Sequence, residues 1–106
     1  MHVVLIGPDR GLATALAERG AEVEHIDGLG SGEALREAGI DAAELLVLTD
    51  VREATSVPVA RELNPGVRVV VYAPDTLPEF VRGQVDLAVS PAVLEAAVVA
   101  EELAGP

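Results

Sequence analysis

The sequence predicts an α/β domain with a five-stranded parallel sheet, and three observations carry the prediction. Short continuous apolar runs at Val3–Ile6, Leu45–Leu48 and Val69–Tyr72 lack polar alternation, as strands covered on both faces require. Stretches of helical spacing separate them. The opening segment from His2 to Asp27 reads as a strand, a tight turn, a helix and a second strand ending in an acid. Five strands joined by right-handed crossovers most simply give the order 2-1-3-4-5, a three-layer Rossmann-like or flavodoxin-like sandwich with its switch point between strands 1 and 3. With 106 residues, half of them apolar, residues 1–106 suffice for one domain with one core.

The elements follow in order. Gly7 closes the first strand where the chain must turn, and Leu12 and Leu16 mark a first helix that Gly20 ends in a left-handed cap. Residues 22 to 26, Glu-Val-Glu-His-Ile, alternate, as suits an edge strand whose glutamates discourage pairing with another molecule. Ser31 caps a short second helix through Leu35, ended by Gly39. Asp50-Val-Arg-Glu53 looks like a capping box, but Pro58 would break a helix begun that early, so a loop is expected through Thr55 and a helix from about Ser56 to Leu63. Thr76-Leu-Pro-Glu79 predicts a capped fourth helix that Gly83 terminates. Asp86 to Ser90 forms the other edge strand. Pro91 after Ser90 opens the last helix, with Val93, Leu94, Ala97, Val98 and Leu103 as its buried stripe.

Composition narrows the function classes. There is no cysteine, hence no disulfide, no thiolate metal site and no cysteine nucleophile. No apolar run is long enough to cross a bilayer and no signal core opens the chain, so no membrane insertion and a cytoplasmic location are expected. The net charge is -11, with seven dispersed arginines as the only basic residues, which argues against nucleic acid as a partner. An acidic, lysine-free chain rich in alanine and valine resembles cytosolic proteins of extreme halophiles, in which salt screens self-repulsion over a few ångströms.

Candidate site residues lie at the carboxyl ends of the strands, where ligands of such sheets bind. Gly7 and Asp27, twenty positions apart, stand where a dinucleotide-binding half has its first glycine and its ribose-binding acid. Asp9 and Leu12 replace the other two glycines of that fingerprint. Asp9 sets a carboxylate where a pyrophosphate would sit, and Arg10 is placed to meet a phosphate bidentately or to pair with Asp9 or Glu18. Asp9, Asp27, Asp50 and Asp75 form an acidic rim that suggests a magnesium or calcium site; the simpler expectation is that each caps the next helix. The hydroxyls of Thr49, Thr55, Ser56 and Ser90 have no candidate base beside them. His2 is expected at the surface, and His25 exposed or in an ion pair.

The stretch Leu35-Arg-Glu-Ala-Gly-Ile-Asp-Ala-Ala-Glu-Leu-Leu-Val-Leu-Thr-Asp50, with Ala60-Arg-Glu-Leu-Asn-Pro65 and Val85-Asp-Leu-Ala-Val-Ser-Pro91, resembles the nucleotide-binding amino-terminal domain of potassium-conductance regulators, the TrkA-N or RCK type. The resemblance implies binding of NAD or ATP/ADP, weakly, at Gly7, Asp27, Thr49 and Asp50, and a separate membrane transporter or other protein as partner. It also implies a missing sheet edge, because only Gly28 to Ala34 fill the space of a helix and a third strand. A second resemblance is to response-regulator receivers. There Asp50 takes the position of the phosphoacceptor at the end of strand 3, Asp9 is what remains of an acidic pair, and Ser90-Pro91 looks like a lysine-proline pair without its lysine.

The main expectation is therefore a non-catalytic regulatory or protein-interaction module of the potassium-regulator type, with homodimerisation through the last helix. The alternative is a degenerate receiver-like phosphoacceptor or a small metal-dependent enzyme using the aspartate rim.

Overall fold

The computed structural model describes residues 1–105. Strands β1 (His2–Ile6), β2 (Glu22–Ile26), β3 (Leu45–Leu48), β4 (Arg68–Tyr72) and β5 (Leu87–Val89) form one parallel sheet of order β2-β1-β3-β4-β5. Helices α1 (Leu12–Glu18), α2 (Gly32–Glu37), α3 (Ser56–Leu63) and α4 (Ala96–Ala104) cover it, with single turns of 3-10 helix at Ile40–Ala42 and Val51–Glu53 and a longer one at Glu79–Gln84.

Strand alternation divides the core into two layers. Val4, Ile6, Leu46, Leu48, Val69 and Val71 face α2 and α3, where Leu35, Val57 and Ala60 meet them. Val3, Leu5, Leu45, Val47, Val70 and Tyr72 face α1 and α4, against Leu12, Leu16, Val99, Ala100 and Leu103. β1 and β3 are buried on both faces, so their sequences are apolar without interruption. β2 is an edge with Glu22, Glu24 and His25 exposed, as its alternation predicts.

Local signals place most boundaries. Gly20 and Gly39 follow α1 and α2 with φ of 89° and 83°, the left-handed conformation that L side chains adopt at a cost. Ser31 accepts from the Ala34 amide at 3.1 Å, and α3 begins at Ser56 with Pro58 in its first turn.

Three expectations need correction. The sheet has lost no edge: its five strands fill the order 2-1-3-4-5, and the short Gly28–Ser31 connection reaches α2 directly. The fourth crossover is a 3-10 segment with Val81 as its one buried apolar residue, too little to seat an α-helix, and Pro78 has no amide for a capping box at Thr76. The last helix starts at Ala96. Ser90 and Pro91 open a single turn, in which Ser90 Oγ accepts from the Ala92 amide at 3.1 Å, and the Tyr72 hydroxyl then donates to the Leu94 carbonyl at 2.7 Å. That carbonyl is the one a continuous helix would offer to Val98, whose amide bonds Glu95 instead. Val93 and Leu94 are left exposed, Ala97 is also exposed and Val98 half-buried, and the buried stripe is Val99, Ala100 and Leu103.

Candidate functional site

The carboxyl ends of β1 and β3 are strapped together by three of the predicted site residues. Gly7 leaves β1 with a φ of 117°, and a Cβ there would fall on the Thr49 hydroxyl. Thr49 is fully buried and donates that hydroxyl to the Pro8 carbonyl at 2.5 Å. Arg10 has a φ of 51°, and its Nε donates to the Thr49 carbonyl at 2.6 Å. Arg10 thus serves the backbone of β3, and pairs with neither Asp9 nor Glu18 among the described residues.

Asp9 caps α1 from outside it, accepting from the Thr14 hydroxyl at 2.8 Å and the Thr14 amide at 3.2 Å. These bonds, the hydroxyl first, hold its carboxyl below the usual range. Asp50 caps the turn after β3. It accepts from the Arg52 amide at 2.9 Å and from the Arg52 guanidinium through Nε at 3.1 Å and Nη2 at 2.8 Å. The guanidinium, followed by the amide, holds Asp50 below the usual carboxylate range. Asp27 is apart from this scaffold: its side chain is 98% exposed and lies 3.9 Å from His25 Nε2, which donates to the Gly7 carbonyl.

Gly7, Asp27, Gly28, Asp50, Arg52 and Glu53 line a cleft of about 330 Å³. Its charges are three carboxylates and one arginine already paired with Asp50, a poor environment for a phosphate. Glu53 also bonds the Gly30 amide at 3.1 Å. Among the described residues no three aspartate, glutamate or histidine side chains converge to hold a metal ion. The Ser56 hydroxyl is similarly committed, its Oγ donating to the Glu53 carbonyl at 2.6 Å. His2, placed at the surface by sequence, is partly buried and donates to the Ala38 carbonyl at 3.0 Å.

Two features escaped the sequence reading. Arg61 donates to the Val67 and Gln84 carbonyls at 2.8 and 2.7 Å and pairs with Asp86 at 3.0 Å, while Asp86 accepts from the Val69 amide at 2.7 Å. This ties α3 to β4 and to the start of β5. The second is a pair of clefts along β5, for which the uncharged run Leu87 to Leu94 was the available signal.

The all-parallel 2-1-3-4-5 sheet, with an aspartate in the turn after β1 and another after β3, has the flavodoxin-like fold of receiver domains. The chain belongs to DUF7126, a family of unknown function whose model matches residues 3–103. No curated protein matches. Among solved structures, the orphan response regulator HP1043 of H. pylori superposes with a TM-score of 0.73 at 18% identity, over 97% of this chain and 92% of that one. A protein described as pilus assembly-related from Burkholderia pseudomallei K96243 gives 0.68 at 18%, over 97% and 86%. One described as a pilus assembly protein, cpaE, from Burkholderia thailandensis E264 gives 0.66 at 19%, over 96% and 93%.

These findings overturn the potassium-regulator reading, and the nucleotide-binding function drawn from it; what they show in its place is a receiver-like fold. The residues that suggested it are general punctuation of a parallel sheet. Gly39 ends α2, Asp50 caps a turn, and the Asn64 amide group bridges the Ile40 and Ala43 carbonyls at 2.8 and 2.9 Å. Each would serve any protein with this topology.

Proposed function

We propose that this chain is a receiver-fold regulatory module that works through protein contacts, with phosphoryl transfer to Asp50 lost. The observation that carries the reading is the bidentate Asp50–Arg52 pair at the end of β3, which spends both carboxylate oxygens on a neighbour two residues along. The surrounding positions agree with it. Asp9 is occupied with Thr14, and Ser90, where receivers carry a lysine, caps its own turn. A nucleophilic carboxylate needs a free oxygen and cationic support for the arriving phosphoryl group, and this rim offers acids. The fold likeness to HP1043 supports the class, not a particular signal.

Incubation with acetyl phosphate and magnesium, followed by intact-mass measurement, tests the reading. The expected product has an unchanged mass. A phosphoryl adduct that disappears in Asp50→Asn would overturn it.

A further inference from the structure

The aspartates of this chain differ in how firmly the fold holds them. Asp9 is bonded to Thr14, Asp50 to Arg52, and Asp86 to Arg61 and the Val69 amide. After Asp41, the Ala42 amide is committed to the Gly39 carbonyl at 3.1 Å. Asp75 is followed by Thr76, whose branched side chain crowds the peptide unit between them. Asp27 has none of these restraints. Its side chain is 98% exposed, and the nearest cation, His25 Nε2, lies 3.9 Å away and is engaged by the Gly7 carbonyl. Gly28 follows it in the one Asp-Gly step of the sequence. The Gly28 amide has no acceptor among the described residues. Its φ is 103°, and a Cβ there would meet nothing within 4 Å, so the space around this peptide unit is open.

We propose that Asp27-Gly28 is a self-modification site, at which the folded chain isomerises to isoaspartate. The Gly28 amide nitrogen attacks Asp27 Cγ. An N–C bond forms, the C–O bond of the carboxylic acid breaks, and its hydroxyl leaves as water with the amide proton, closing a succinimide ring. Water then opens the ring at the α-carbonyl, which leaves the peptide link running through Cγ and a free α-carboxylate. Nothing is oxidised or reduced, and the product keeps the mass and charge of the starting chain. An unbonded carboxyl turns towards the amide without giving up a contact, and glycine puts no side chain in its path. At Asp9, Asp50 and Asp86 the same movement would first break bonds that the fold supplies. The product has one extra methylene in the backbone between Ile26 and Gly28. β2 ends at Ile26, so the insertion falls where the edge strand enters the loop to α2. It also moves the Asp27 carboxylate on the rim of the cleft that Asp27 lines with Gly7 and Asp50.

Ageing the folded protein in molar potassium chloride tests this, with circular dichroism as the folding control. Trypsin releases the peptide Gly20–Arg36, in which Asp27 is the single aspartate. Electron-transfer fragmentation of that peptide locates isoaspartate. Methyl transfer from S-adenosylmethionine by an isoaspartate-specific methyltransferase counts it. The folded chain should form the product within about tenfold of the rate in a free peptide of the same sequence, because a loop with no bonds to break opens at almost no cost. Asp27→Glu, which would have to close a larger ring, should abolish the product and leave the fold intact. A rate in the folded chain more than about tenfold below that of the peptide overturns the proposal. So does isoaspartate at another aspartate in its place, or methyl acceptance that Asp27→Glu leaves unchanged.

Discussion

The Thr49 hydroxyl occupies the space that a Cβ on Gly7 would need, and from there it holds the Pro8 carbonyl. The turn after β1 and the end of β3 are therefore one packing unit. Gly7→Ala brings both a strained positive φ and a steric collision, and should destabilise the fold by about 2–4 kcal/mol in urea unfolding. In a Thr49→Ala background the collision with the hydroxyl is gone while the tight approach to Asp50 and the positive φ remain, so the second measurement should recover part of that loss. Strict additivity of the two substitutions would contradict the contact.

Asp50 is held below the ordinary carboxylate range, chiefly by the Arg52 guanidinium. A lowered folded-state value means stabilisation that is complete above the unfolded value, about 3.9, and lost as the pH falls through the folded one. Asp50→Asn should therefore cost about 0.5–1.5 kcal/mol at neutral pH, where the pair is partly exposed to solvent, and less and less below about pH 4. The difference between the two unfolding curves across pH is the measurement. A pH-independent difference would contradict the lowered Asp50 carboxyl, because the guanidinium and the amide cap both favour its charged form.

Tyr72 is 2% exposed, and burial pushes its phenol up from the usual value. A raised folded-state value gives stability that is present below the unfolded value, about 10, and lost as the pH rises through the folded one. Tyr72→Phe should remove this alkaline loss. At neutral pH it should cost about 0.5–1.5 kcal/mol for the bond to Leu94. Alkaline melts of the two proteins that stay parallel would refute the assignment.

Arg61 places three donors on two carbonyls and a carboxylate. Lysine has one ammonium and cannot span these acceptors, so Arg61→Lys should destabilise by about 1–3 kcal/mol despite its preserved charge. Hydrogen exchange should locate the loss at β4 and β5, with β1 and β2 retaining most of their protection. Uniform loss across the sheet would mean that Arg61 supports the whole fold rather than this corner.

The elements that sequence predicted well are those whose signal is local. Val3–Ile6 and Leu45–Leu48 are apolar throughout because both faces are covered, and Gly20, Ser31 and Gly39 mark helix ends through their own backbone or side chain. The last helix was misplaced because its start depends on a hydroxyl twenty-two residues away, at Tyr72, which takes the Leu94 carbonyl. At the rim, sequence placed Gly7, Asp9, Arg10, Thr49 and Asp50 at the right end of the sheet. It could not say that Arg10 and Thr49 would be spent on backbone carbonyls, or Asp50 on Arg52, because those partners are set by the register of β1 against β3.

The bond between Tyr72 and Leu94 has an optical consequence. The chain has no tryptophan and a single tyrosine, so its intrinsic ultraviolet fluorescence is dominated by one phenol. That phenol sits at the junction of β4 with the exposed Val93–Leu94 turn. Whatever covers, displaces or rearranges that turn is reported by a native chromophore, without any label.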